Sequence, residues 1–563
     1  MRPLNGALSR PVHFFASDSV TIPRRVAKLS HVVAGAALLV ATSSPLAAQE
    51  AQPSAEAAAS APTAPAEPRR LYIGQYRVIG TKQLPQAEVE AAVYPFMGPA
   101  RTDADIEQAR AALEKAYQDK GYQTVSVEVP AQTGRRGIIY LQVNEAKVGR
   151  LRVKGSRYFS LDEIKKRAPS LQEGVVPNFN DVQRDIVALN QLPDRRITPE
   201  LRAGVEPGTV DVDLVVKDTL PLHGSLELNN RYSADTTELR LSGSLSYSNL
   251  WQLGHSIGAS FQVSPMDLDE VKVISGYYIA RFPEIDWLSL LLTAVKQESN
   301  VSTLGSVAVA GRGEVFGIRA MITLPPKKDF YQTFSFGLDY KNFEDTTSFG
   351  LDETVTPIEY YPISANYTAA WSGKKYTTEL NAGVTFSFRG VGSEGDEFDV
   401  SRYKADGSFI YLRGDISHTH TLPGDAEFFL KVQGQLADQP LVNTEQFGGG
   451  GLGTVRGYLE AEVLGDNAAM GTIELRSPSL LGWLPGDVNE WRVYAFVDGG
   501  VLTINKPLPE QESRFNLASF GVGSRIRLMD FVNGSVDLAL PVISQAQTLS
   551  RDPFLSFRVW AEF

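Results

Sequence analysis

The sequence predicts a two-part fold: two α+β domains in tandem, each β-α-α-β-β, followed by a 16-stranded antiparallel transmembrane β-barrel. Three observations predict it. The order strand–helix–helix–strand–strand runs over residues 71–146 and again over 147–219, a period of about 75 residues. From residue 220 to Phe563 the helical period stops and apolar residues alternate with polar ones. The connections between these alternating segments are short and long by turns.

Composition bounds the alternatives. The 563 residues are 43% hydrophobic with a mean hydropathy of −0.14, and beyond the N-terminus no apolar run is long enough for a spanning helix. A spanning strand hides its lipid face in alternation, so this does not exclude a membrane. The formal charge of −11, with no long basic run, argues against a nucleic-acid partner. There is no cysteine, which removes disulfides, thiolate metal sites and thiol nucleophiles together.

Residues 1–48 read as a secretory signal peptide. Arg24, Arg25 and Lys28 supply the positive region, Val32–Ala41 the apolar run, and the small residues through Ala48 a cleavage site. The alternative is an anchor helix, which this run is too short to make. Residues 49–70 are Ala/Pro/Ser/Glu low complexity and read as a flexible linker.

In the first α+β domain, 71–146, residues 72–80 read as a strand, 86–93 as a short helix and 102–120 as a longer one. Ile106, Ala109, Leu113 and Tyr117 follow helical spacing, and Gly121 ends the helix. Strands follow at 123–129 and 137–143. In the second domain, 147–219, the corresponding segments are 147–155, 161–168, 180–192, 196–203 and 210–217.

Over 220–563 sixteen strands are expected, beginning near residues 222, 236, 254, 270, 287, 312, 330, 357, 375, 405, 425, 468, 490, 513, 532 and 552. If strand 1 starts on the periplasmic side, turns after even strands are periplasmic and short, such as LPPKKD, WSGKK and LPGDA. Connections after odd strands are outside and long: NFEDTTSFGLDETVTP, RGVGSEGDEFDVSRYKA and the loop 439–467. The segment 478–489 is a long periplasmic exception. Short inside and long outside, with an even strand number, is the pattern of bacterial outer-membrane barrels, whose outward face meets lipid.

Strand parity sorts the side chains. Trp491, Val493, Ala495 and Val497 suit lipid, while Arg492, Tyr494, Phe496 and Asp498 face inward. Glu474, Arg476, Arg525 and Arg527 are also expected to face the lumen, where the last two would line a conduit or remain solvated. His418 and His420 share a strand face near a periplasmic turn, but without a third ligand no metal is expected. Gly451-x-Gly453 lies outside a strand-to-helix turn and lacks a following lysine, so no nucleotide or other cofactor is expected. No base and nucleophile assemble near the outer rim, so an enzyme is not expected.

The longest loop holds four consecutive glycines from Gly448 and then Val455-Arg456-Gly457-Tyr458, a run that turns sharply and carries one strong charge. This run resembles the tip of loop six in the TpsB and insertase superfamily, and Tyr494–Gly499 (YAFVDG) resembles that superfamily's F-x-D-x-G strand motif. Both α+β domains resemble POTRA domains, the first through KGYQTVSVEVPAQTGRRGIIYLQVNEAKVG. Over residues 71–563 the chain is thus similar to the TpsB transporters of two-partner secretion, of the ShlB/FhaC/HecB haemolysin-activator type.

The resemblance implies a set of expectations. Arg456 would pair with Asp498 and lock the folded-in loop to the barrel, with Val455, Gly457, Tyr458, Phe496 and Gly499 in the two motifs. The POTRA pair would capture an unfolded, TpsA-like exoprotein bearing a haemagglutinin-type secretion domain, and the pore would pass it outward. Client strand addition would use an open sheet edge, for example near Val125–Val129. Phe563 resembles the terminal signal read by the barrel-assembly machinery. The protein would sit in the outer membrane of a Gram-negative bacterium with its POTRA domains in the periplasm. The alternative function is an outer-membrane assembly factor or insertase, although two POTRA units rather than three to five favour secretion. Family members often carry an N-terminal plug helix; residues 49–70 hold few apolar residues, so either the plug is absent or the loop serves as the main gate.

Overall fold

The computed structural model describes residues 70–563, apart from 133–134, 283–284, 300, 303–308, 311, 326, 328, 350–351 and 482–487. The expected signal peptide and nearly all of the linker lie outside the described residues. The chain divides into two compact units, split after Thr219.

The first unit contains two α+β sandwiches. In the first, strands Gln75–Ile79, Ile138–Glu145 and Val125–Glu128 form a sheet in that spatial order. Helices Gln86–Val93 and Asp103–Asp119 cover it. The helical stripe Ile106, Ala109, Leu113 and Tyr117 is buried against Val125, Val127, Ile139, Leu141 and Val143. Asp105 starts the longer helix by accepting from the Thr102 N–H at 2.8 Å. The second sandwich repeats the plan with strands Lys147–Lys154, Thr209–Asp218 and Arg195–Ala203 and helices Leu161–Lys166 and Phe179–Leu189. Its core is built from Ile164, Leu171, Val182, Leu189, Ile197, Val212 and Leu214.

One titratable cluster ties the second sheet together. Asp213 accepts from Arg152 Nε at 2.8 Å and Lys154 Nζ at 2.6 Å. The Lys154 hydrogen bond is the largest cause holding its carboxyl below the usual range, with Arg152 adding to it. A depressed folded-state pKa contributes stability above the unfolded value, lost as pH falls through the folded one. The fragment 71–219 is therefore expected to lose stability below about pH 4, the unfolded aspartate value. Asp213→Asn should flatten that part of the profile, read by circular-dichroism melts between pH 2 and 6; an unchanged slope would refute the assignment.

The second unit is a closed antiparallel barrel. Seventeen hydrogen-bonded segments close it, but Asp352–Tyr360 and Ile363–Ser372 pair with successive stretches of one neighbour, making sixteen strands. The break falls at Pro362, which has no N–H for a ladder. In chain order the strands are β1 (Leu222–Asn229), β2 (Arg240–Leu250), β3 (His255–Val263), β4 (Lys272–Phe282), β5 (Ile285–Glu298), β6 (Arg312–Thr323), β7 (Phe330–Phe349) and β8 (Asp352–Ser372). They continue with β9 (Tyr376–Ser387), β10 (Phe409–Thr421), β11 (Glu427–Ala437), β12 (Asn467–Arg476), β13 (Val488–Thr503), β14 (Arg514–Leu528), β15 (Val532–Pro541) and β16 (Phe554–Glu562).

Two connections differ from the sequence expectation. The stretch 342–357 is not a free loop: β7 and β8 run on as a ladder from Lys341↔Tyr360 to Phe349↔Asp352. Beyond the bilayer a strand need not alternate with apolar residues, so its polar sequence reads as loop. The connection after β9 contains a short helix, Gly395–Ser401, whose Phe398 packs edge-on against Tyr360, which in turn meets Phe409.

Barrel closure depends on β16 and β1, paired from Arg558↔Asn229 to Glu562↔Ser225. Arg558 grips Glu227 with two hydrogen bonds of 2.9 and 2.8 Å. The Phe563 N–H donates to the Gly224 carbonyl at 3.0 Å. A Cβ at Gly224 would collide with the Phe563 ring, so the glycine makes the seat for the terminal phenylalanine.

Candidate functional site: a loop clasped against the inner wall

The long connection between β11 and β12 is built as a small hairpin. Residues Phe447–Gly449 pair with Val463–Gly465. At Gly449 a Cβ would lie 2.7 Å from a Leu502 methyl, and at Gly465 2.8 Å from Leu502 Cβ. The glycines therefore let the hairpin press against β13. Flanking side chains supply what the glycines cannot: Phe447, Val455, Tyr458 and Val463 form one buried cluster with Met470, Leu502 and Leu517 of the wall. Tyr458 fixes the tip by donating to the carbonyls of Ala518 (3.0 Å) and Ile543 (2.7 Å).

Arg456 sits at the tip, 5% exposed. Its Nε and Nη2 donate to the two oxygens of Asp498 at 2.7 and 2.8 Å, and its backbone N–H adds a third bond at 3.1 Å. Nη1 reaches Glu474 at 2.7 Å and Asp537 at 3.4 Å. The guanidinium lies over the Phe496 ring, 3.5 Å from its centroid. One cation thus joins carboxylates of β12, β13 and β15.

The other lumen-facing residues form the surround. Arg476 donates to Glu474 at 2.8 Å and stacks on Phe429. Arg525 lies 3.6 Å from Glu474 and over the Tyr494 ring. Tyr494 donates to Asp537 at 2.7 Å. Arg492 pairs with Glu490 and Glu427, lower on the wall. Arg527 stands apart, 3.8 Å from Glu562 on the last strand. Val493 and Val497, 40% and 59% exposed, face outward.

The inward rings have room because β14 gives it. A Cβ at Gly521 would meet the Phe496 ring and one at Gly523 the Tyr494 ring. By contrast, a Cβ at Gly499 would find only ordinary contacts, the nearest 3.5 Å away. Its neighbour Gly500 is the position where a side chain would strike Met470.

Sequence reasoning missed three groups. Asp537 belongs to no motif; its inward parity between Ser535 and Ala539 was the available signal. Glu445, 2% exposed, holds the descending limb of the loop: it pairs with Lys341 of β7 and accepts from Tyr360 at 2.6 Å and Tyr411 at 2.8 Å. Asp466, fully buried, accepts from the Leu441 N–H at 2.9 Å and the Asn505 N–H at 2.6 Å. Nothing in the local sequence marks these acids, because their partners are far away in the chain.

The edge near Val125–Glu128 also differs from expectation. The Val127 carbonyl already accepts from Arg110 Nη1 at 3.2 Å. In the second sandwich Asn190 covers both the N–H and the carbonyl of Ile197, Pro199 has no N–H, and Glu173 accepts from the Leu151 N–H. For Gln75–Ile79 no such cover is present among the described residues.

A closed sixteen-stranded barrel preceded by α+β sandwiches, with a loop arginine clasped on its inner wall, defines an outer-membrane transporter of the POTRA–barrel class. The family described as haemolysin secretion/activation protein ShlB/FhaC/HecB matches residues 208–526, and the ShlB-type POTRA domain matches 71–146. The chain belongs to this ShlB/FhaC/HecB family, the TpsB transporters of two-partner secretion. It is 22% identical over 485 residues to the outer membrane transporter CdiB of Escherichia coli, covering 83% of this chain and 78% of that protein. A CdiB of Dickeya dadantii is 23% identical over 168 residues, a match spanning only 30% of this chain and 29% of that protein. The solved structure of E. coli CdiB shares the fold with a TM-score of 0.62 at 19% identity, covering 88% of this chain and 91% of that one.

Proposed function

We propose that this chain captures one unfolded exoprotein, TpsA-like and with a haemagglutinin-type secretion domain, and passes it through its barrel. In this reading the loop 439–467 is the gate, and Arg456 with Asp498 is its lock. The observation that carries the reading is the burial of a loop cation against three wall carboxylates, which holds the folded-in loop to the lumen wall. Family membership supports it. Export of an exoprotein bearing a haemagglutinin-type secretion domain, measured in cells with and without the transporter, tests the function. Faster folding of other barrels in vesicles, with no export, would make it an insertase instead.

Strand addition supplies affinity through main-chain bonds and needs an uncovered edge. Gln75–Ile79 meets that need better than Val125–Glu128. Because the chain has no cysteine, single thiols report cleanly. Arg77→Cys is expected to form a disulfide with a cysteine-bearing client in the periplasm several times more than Ser126→Cys does, scored on non-reducing gels. The reverse ratio would move the capture site to the other edge.

A further inference from the structure

The outward face at the short-turn end of β7–β11 carries a belt of rings. Phe330 stacks on Trp371 at 5.0 Å, Tyr376 on His418 at 6.1 Å and His418 on His420 at 6.0 Å. Ile410, Leu412 and Ile416 share the parity of the two histidines and are 46%, 56% and 43% exposed. Arg413, on the opposite parity, reaches the loop inside. His418 Nδ1 bonds Thr378 Oγ1 at 2.7 Å, and no partner takes its Nε2 among the described residues. Ionisable rings on a lipid-facing surface are costly in hydrocarbon and useful at headgroup depth.

The charges around this belt are unevenly placed. Of the seven turns at this end, lysine occurs in two alone, 324–329 and 373–375, as Lys327, Lys328, Lys374 and Lys375. These turns are neighbours: the Ser372 N–H donates to the Asp329 carbonyl at 2.9 Å. The Thr421 N–H donates to the Lys375 carbonyl at 2.7 Å, bringing in the histidine strand. Lys327, Lys374 and Lys375 are exposed, and Asp329 is the one acid in the two turns.

We propose that this arc is a binding site for an anionic phospholipid of the inner leaflet. Lys327, Lys374 and Lys375 take the phosphate charge, the imidazole N–H groups of His418 and His420 donate to headgroup oxygens, and the aromatic belt seats the glycerol and upper acyl region. The site faces the bilayer, away from the loop and its lock, so its test is independent of the transport reading.

Purified full-length protein in detergent is given equal amounts of phosphatidylglycerol and phosphatidylcholine, and retained lipid is read by native mass spectrometry. Wild type is expected to retain phosphatidylglycerol at least about fivefold over phosphatidylcholine, the order of effect of one lysine at an anionic surface. The folded Lys327→Ala/Lys374→Ala/Lys375→Ala variant should lose that preference. Lys296→Ala, on β5, should keep it. Equal retention by wild type overturns the proposal whether or not the variant folds. So does a preference that survives the triple substitution, or one abolished by millimolar inorganic phosphate, which would mark a free-anion site.

Discussion

Arg456→Ala is expected to leave a folded barrel that exports almost nothing. The strand ladder closes through β1 and β16 without help from the loop, so heat-shifted mobility on gels should remain normal. The loop, however, loses the four hydrogen bonds of the Arg456 side chain and keeps at most the backbone N–H bond to Asp498. Removing one partner from a buried ion pair costs about 3–5 kcal/mol, less where lumen water enters. That is enough to release the tip, with export expected to fall roughly tenfold or more. Arg456→Lys should recover little, because an ammonium cannot grip both Asp498 oxygens in parallel. Asp498→Asn should make the same loop more open to protease added from outside. Normal export by Arg456→Ala would remove the loop from the mechanism.

The second large effect is expected at Glu445. Its carboxylate receives Lys341 and two tyrosine hydroxyls, while its carbonyl accepts from Arg413 at 2.8 Å and Gln435 at 3.1 Å. Glu445→Leu strands the Lys341 ammonium and takes the shared acceptor from both phenols, a loss of about 3 kcal/mol from the loop's descending limb. Removing both charges, Glu445→Leu with Lys341→Met, should recover much of that loss, since an ion pair replaced whole by apolar groups is often near neutral. The checking measurement is the temperature at which the folded gel band disappears. Purely additive losses would mean that the two charges do not act as a pair.

How far the sequence could be read followed from which signals are local. Alternation is local, so sixteen strands and their inward and outward faces were legible, as Trp491–Asp498 shows. The VRGY and YAFVDG runs were legible as motifs, but the third carboxylate, Asp537, was not, because it lies on a strand with no motif. The hairpin of Phe447–Gly449 with Val463–Gly465 left no trace, since three-residue strands rich in glycine have no period. Likewise the ladder 341–349 with 352–360 reads as loop because its hydrogen bonds are carried by the backbone and its side chains are polar. The covered edge at Val127 depended on Arg110, a surface helix residue whose reach only coordinates can give.

The carboxylates around Arg456 have a consequence for ionic current. Asp498, Glu474 and Asp537 are met by Arg456, Arg476 and Arg525, so the clasped wall is electrically balanced. Only Arg456 is carried on the loop; the other two guanidiniums belong to β12 and β14. Withdrawal of the tip therefore leaves this patch of the wall one negative charge in excess, while Glu445 and Glu460 leave Lys341 and Arg231 uncovered elsewhere. Cations crossing an open channel should then be held at the patch, and lysines or arginines of a polypeptide in transit would find, at that depth, the carboxylates that Arg456 had vacated.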